Sequence, residues 1–102
     1  MSYQFGLAEE DIQKMNSVFL KHTEITKVVI YGSRAKGDFR ASSNIDLSVF
    51  TEKKDISFLS KVVQEIDDLG LPYKVDMSIF SLIENDSLKK HIKLIGQVFF
   101  QR

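Results

Sequence analysis

The chain has 102 residues, 43% of them hydrophobic, with 14 basic and 14 acidic side chains and no cysteine. This is enough for one domain, residues 1–102, with a modest core, and it argues against disorder. Balanced charge speaks against a protein living on bulk nucleic acid, which calls for a broad basic face. The absence of cysteine removes disulfides and thiolate metal sites. No apolar run reaches the length of a membrane span. The first residues, MSYQFGLAEED, lack the basic-then-apolar pattern of a secretory signal, so the expectation is a cytoplasmic protein.

From about Leu7 to His22, Ile12, Met15 and Phe19 recur at helical spacing with Val18 alongside, and acids lead while Lys21 closes, in line with the helix dipole. His22, alone at a helix end, reads as a cap or surface residue. Lys27 to Tyr31 is a short β-branched run, apolar on both faces, as in a central strand. It stops at Gly32-Ser33, where glycine allows a sharp turn and close approach of a ligand to the main chain. Ser33 is placed to cap a short turn, Arg34-Ala35-Lys36, that Gly37 ends.

A polar loop, Asp38 to Ser43, leads to an alternating strand with Ile45, Leu47 and Val49 on one face and Asn44, Asp46, Ser48 and Phe50 on the other. Thr51 to Lys54 reads as a charged turn. Asp55 to Leu69 carries one wide apolar stripe of Phe58, Leu59, Val62, Val63, Ile66 and Leu69, the clearest helix; Gly70 and Pro72 stop it. Lys74 to Phe80 is a third strand with Asp76 and Ser78 sharing a face. Ser81 to Glu84 has capping-box spacing and is expected to open a helix that runs through Leu88, Ile92 and Ile95 to Gly96. A last strand follows, Gln97 to Gln101. Phe99 and Phe100 are adjacent, so one is expected in the core and the other in a satellite or partner contact. The order predicts an α/β domain with a mixed three- to four-stranded sheet, helices packed on one face and Asp46 and Asp76 on the other.

Asn44 and Asp46 stand two apart on one strand, roughly 6 to 7 Å at the backbone, on the same face. With the Asp76 strand beside them, three oxygen-bearing side chains converge. Such carboxylates suit Mg²⁺, which takes one or two of them plus substrate phosphates. A pair of such ions serves phosphoryl and nucleotidyl transfer. The Gly32-Ser33 turn offers main-chain N–H groups and a hydroxyl for phosphates, and Arg34 and Lys36 add positive charge.

GSRAKG, then SNIDLSVF, then VDMSIF resembles the minimal nucleotidyltransferases of the DNA polymerase β superfamily. Their signature is a Gly-Ser turn, about ten residues, then Asp-x-Asp, and a third Asp on a later strand. Here ten residues separate Gly32-Ser33 from Asn44-Ile45-Asp46, and Asp76 follows where the third acid belongs. The resemblance implies that Ser33 and neighbouring amides hold the terminal phosphates of ATP, with Gly32, Arg34 and Lys36 at the nucleotide. It implies that Asp46 and Asp76 ligate two Mg²⁺ ions and that Asp76 helps deprotonate the attacking hydroxyl. Position 44 is where the first metal-binding Asp belongs, and Asn is a neutral, weaker ligand.

Small single-domain members of this family pair with a helical HEPN RNase toxin and act as antitoxins by moving AMP from ATP to a toxin tyrosine. The resemblance implies that activity and a HEPN partner, with turnover reduced by Asn44. A second reading is a catalytically weak module that neutralises a helical partner by contact. A third is a small-molecule nucleotidyltransferase working with a separate substrate-binding subunit.

Overall fold

A computed structural model describes residues 3–53 and 55–102. Lys54, which closes the expected charged turn after Thr51, lies outside the described residues. Strand β1 (Tyr3–Gln4) pairs antiparallel with β2 (Leu7–Ala8). Phe5 and Gly6 between them both have positive φ, 58° and 72°, the two-residue mirror-type turn that suits the twist of a hairpin. Helix α1 (Glu9–Lys21) therefore starts two residues later than its periodicity suggests, because Leu7 is fully buried as a strand residue.

Strand β3 (Ile25–Tyr31), the four-residue helix α2 (Ser33–Lys36) and strand β4 (Ile45–Thr51) follow. Gly32, not Ser33, takes the N-cap position of α2, and Gly37 ends it in the left-handed conformation. Helix α3 (Ile56–Asp67) is capped by Asp55, whose carboxylate accepts the Ser57 N–H at 2.9 Å. Strand β5 (Val75–Ile79) runs into a 3₁₀ turn, Phe80–Leu82. The spacing at Ser81 is not used as a capping box. Helix α4 (Asp86–Ile95) opens instead at Asn85, whose side chain accepts the Leu88 N–H at 3.0 Å. Strand β6 (Gln97–Gln101) closes the order.

The main sheet has four strands in the order β5-β4-β3-β6, so β3 and β4 are central. β3 is antiparallel to both neighbours, and β4 and β5 are parallel, joined by α3. One face carries Val28, Ile30, Ile45, Leu47 and Val49, all fully buried, under α1 and α3 with Met15, Phe19, Phe58 and Val62. The helical stripes were legible because this face is apolar throughout. On the opposite face α4 gives partial cover, with Ile92 beside Val29 and the His91 ring edge-on to Tyr31. The rest of that face holds the acids.

Phe99 and Phe100 are both buried, at 6% and 9% exposure. Val28 pairs with Phe100 and Val29 with Val98, so Phe99 is the extra residue of a β-bulge. The bulge breaks strict alternation and turns both rings inward, where each packs against Phe19. The outward residue is Val98, 52% exposed. His22 caps α1 through its backbone, and its imidazole bonds Glu65 of α3, tying the two covering helices together.

Candidate active site

β4 and β5 run parallel and in register, so Asp46 and Asp76 are direct partners on the same face. Adjacent strands lie about 4.8 Å apart, which brings the two carboxylates together without any loop to position them. Asn44 stands one turn of the pleat earlier, just ahead of β4. Its Nδ2 donates to Asp76 Oδ2 at 3.1 Å. The three expected oxygen-bearing side chains therefore converge.

Burial raises the Asp46 carboxyl above the usual carboxylate range, the nearby Asp76 charge adds to this, and His91 opposes it. Tyr31, the register partner of Asp46 on β3, is raised in turn, first by burial and then by the Asp46 charge. Both shifts report one crowded, negatively charged corner of the sheet.

Gly32 closes the corner. Its φ of 75° and ψ of −155° belong to a region that is essentially reserved for glycine. A Cβ there would stand 2.6 Å from Asp46 Oδ2. Glycine thus lets the turn pass directly over the Asp46 carboxylate. The Gly32 N–H points to His91 Nε2 at 3.2 Å. His91 was invisible to motif reasoning, since it lies 45 residues beyond Asp46, on the helix expected through Leu88, Ile92 and Ile95. Only the fold shows that α4 crosses this face.

Arg34, expected beside the nucleotide, is engaged elsewhere in this structure. It is 2% exposed and points into the fold. Its guanidinium donates to the carbonyls of Phe5, Ala41 and Ser43 at 2.9 to 3.3 Å, twice to Ser43. It also lies over the rings of Phe39 and Tyr73. Arg34 is the clasp that holds the β1–β2 hairpin and the 38–43 loop onto α2. Lys36 remains exposed and pairs with Asp38 at 3.7 Å. Ser33 opens α2 and is half-buried.

Among the described residues no group of three or more His, Cys, Asp or Glu is assembled around a metal position. The donors present are two carboxylates and one amide carbonyl. That all-oxygen set suits a hard divalent cation whose remaining ligands come from substrate phosphates and water.

The family model for polymerase β nucleotidyltransferases matches residues 13–102. The chain belongs to this nucleotidyltransferase family. No curated protein matches it in sequence. Among solved structures, it is similar to a toxin–antitoxin crystal structure with AMP-PNP, with a TM-score of 0.73 at 16% identity over 89% of this chain and 73% of that one. It is also similar to the complex of a tri-AMPylated Shewanella oneidensis HEPN toxin with its MNT antitoxin, at a TM-score of 0.69 and 14% identity, covering 92% and 72%. A protein assigned as a nucleotidyltransferase from Sulfolobus solfataricus gives 0.56 at 20% identity, covering 92% and 86%. At these identities the likeness is one of fold, and the nucleotidyltransferase fold is the one expected from the sequence. No helix among the described residues is long and apolar enough to cross a membrane.

Proposed function

We propose that this nucleotidyltransferase moves AMP from ATP to a tyrosine hydroxyl of a HEPN-type helical protein and so acts as its antitoxin. The observation that carries the reading is the pairing of Asp46 with Asp76 on adjacent parallel strands, directly beneath the Gly32-Ser33 turn. The likeness to an MNT antitoxin bound to a tri-AMPylated HEPN toxin supports the class of acceptor.

In this reading the turn and the Ser33 hydroxyl receive the outer phosphates. The acceptor oxygen attacks the α-phosphorus, a new P–O bond forms, and the bond to the β-phosphate breaks, so that pyrophosphate departs with the electron pair. The phenolic proton passes to a carboxylate of the Asp46–Asp76 pair. Asp76, the more exposed of the two, takes that role, as the family resemblance implies. Asp46, Asp76 and the Asn44 carbonyl would hold Mg²⁺, which, when bound, offsets the negative charge of the phosphates.

The test is intact-mass spectrometry of the HEPN partner after incubation with this protein, ATP and Mg²⁺, run beside Asn44→Asp. Addition of AMP by both proteins, or by the Asp variant alone, supports the assignment; addition by neither overturns it. A contact-only antitoxin is the second reading. It is favoured by one observation, the amide of Asn44 bonded to Asp76 where a third carboxylate would strengthen metal binding. Tight complex formation without nucleotide, and no transfer by either protein, is its signature.

A further inference from the structure

The sheet face that carries Asp46 and Asp76 continues to a second feature that the nucleotide chemistry does not use. Four residues beyond Asp46 on β4, about 13 Å along the strand, Phe50 stacks on Phe80 with ring centroids 4.6 Å apart and planes 15° apart. Lys27 Nζ stands 4.6 Å above the Phe50 ring. Lys89 and Lys93 of α4 stand 5.9 Å from the Phe80 ring. Cation–π attraction thus holds three ammonium groups around one aromatic stack.

None of the three lysines is in an ion pair among the described residues. Lys89 and Lys93 are moreover spaced i, i+4 on one helix, where like charges repel. A chain with no net charge has gathered three uncompensated cations at one place. Lys27, Phe50 and Lys93 themselves border a groove of about 290 Å³ whose apolar side is Val29, Ile92 and the exposed Val98. Its size fits individual side chains rather than a whole cofactor.

We propose that this patch docks an acidic segment of the protein acceptor, with an apolar side chain of that segment entering the groove. The inference deepens the proposed function and rests on it. Charge complementarity favours carboxylates, and the ammonium groups already cover the outer faces of the two rings. That arrangement leaves no open aromatic platform for a nucleobase, which is what single-stranded nucleic acid uses. The shared face sets the geometry. An extended segment needs about four residues to span the distance from the patch to Asp46, so the acceptor's acids stand about that far in the chain from the hydroxyl that is modified.

The experiment is an NMR titration of the isotope-labelled full chain. The probe is a synthetic peptide with three glutamates centred four residues from a tyrosine; a glutamine version is the control. The expected result is shift changes at Lys27, Phe50, Phe80, Lys89, Lys93 and Val98, weakening with added salt. Lys89→Glu with Lys93→Glu should lower affinity tenfold or more, and the Gln pair should lower it less. Equal binding of the glutamine peptide, or an unaltered affinity in both paired variants, overturns the proposal. So does displacement of the peptide by a lower concentration of single-stranded RNA, which would make the patch a nucleic-acid surface. Binding of a non-hydrolysable ATP analogue is read in the same samples. If it stays intact while peptide binding fails, only the docking proposal falls; if the analogue does not bind at all, the nucleotidyl-transfer reading falls with it.

Discussion

Arg34 gives the sharpest separation between a structural and a catalytic role. Its four hydrogen bonds reach three carbonyls in two segments, Phe5 in the hairpin and Ala41 and Ser43 in the 38–43 loop, and the group is 2% exposed. A hydrogen bond from a charged donor contributes about 1.5 to 3 kcal/mol, and a buried acceptor left unpaired costs about 1 to 3 kcal/mol. Water entering the vacated space recovers part of this, which leaves about 3 to 5 kcal/mol for Arg34→Ala. A domain of this size has about 5 to 15 kcal/mol in total, so that variant stands near the edge of folding. Arg34→Lys keeps the charge but loses the planar fork, for a loss of about 2 kcal/mol. Urea denaturation should show a lower midpoint at unchanged slope for Arg34→Lys. Affinity for an ATP analogue, measured on the folded protein, should stay within about twofold of wild type, a change of about 0.4 kcal/mol. A Lys variant of undiminished stability whose nucleotide affinity falls tenfold would refute the buried clasp and restore Arg34 to the phosphates.

Other consequences follow from the same corner of the sheet. Gly32→Ala combines a backbone region costing about 1 to 3 kcal/mol for a non-glycine residue with a Cβ 2.6 Å from Asp46 Oδ2; a lower urea midpoint and lost nucleotide binding are expected together. Asn44→Asp removes the amide donor to Asp76 and adds a third carboxylate, so its melting temperature should fall in chelator and rise with Mg²⁺ more than that of wild type. The Asp46 carboxyl is raised in the folded state by burial and then by Asp76. The stability it contributes is therefore full below the ordinary carboxylate pKa and is lost as pH rises through the folded value. Asp46→Asn should melt higher than wild type at pH 7, with the gap closing in acid. Glu65 shows the opposite sign: its hydrogen bond to His22 lowers it, so its contribution is present above the ordinary value and lost as pH falls through the folded one. Glu65→Gln should flatten the acid limb of the stability profile.

The parts legible from sequence are those set by local pattern. Alternation placed Asp46 and Asp76 on strands and on the correct face, and the apolar stripe from Phe58 to Ile66 defined α3 and its buried side. The parts missed depend on partners distant in the chain. Nothing near Arg34 announces that carbonyls of residues 5, 41 and 43 will surround it. His91 reads as one more polar residue on an amphipathic helix until α4 is laid across β3. Strict alternation separates Phe99 from Phe100, and a bulge, which is a property of the β3–β6 pairing, reunites them. Positive charge beside a Gly-Ser turn suggests a phosphate contact, but sequence gives proximity and not the direction in which a long side chain points.

Asn44 can now be weighed in physical terms. A carboxylate at this position would stand within hydrogen-bonding reach of Asp76, close to an Asp46 that already resists ionisation. Without a cation, three negative groups in that space repel one another. An amide removes one charge and turns a repulsion into a hydrogen bond, so the metal-free corner is more settled with Asn44 than with Asp. The same substitution withdraws a full negative charge from the position a divalent cation would share with the triphosphate. Asn44 therefore favours the empty site over the loaded one. Any residual transfer should require more Mg²⁺ than the Asn44→Asp variant needs. A titration of AMP addition against Mg²⁺ for the two proteins reads that difference directly, and coincident curves would show that residue 44 is not a metal ligand.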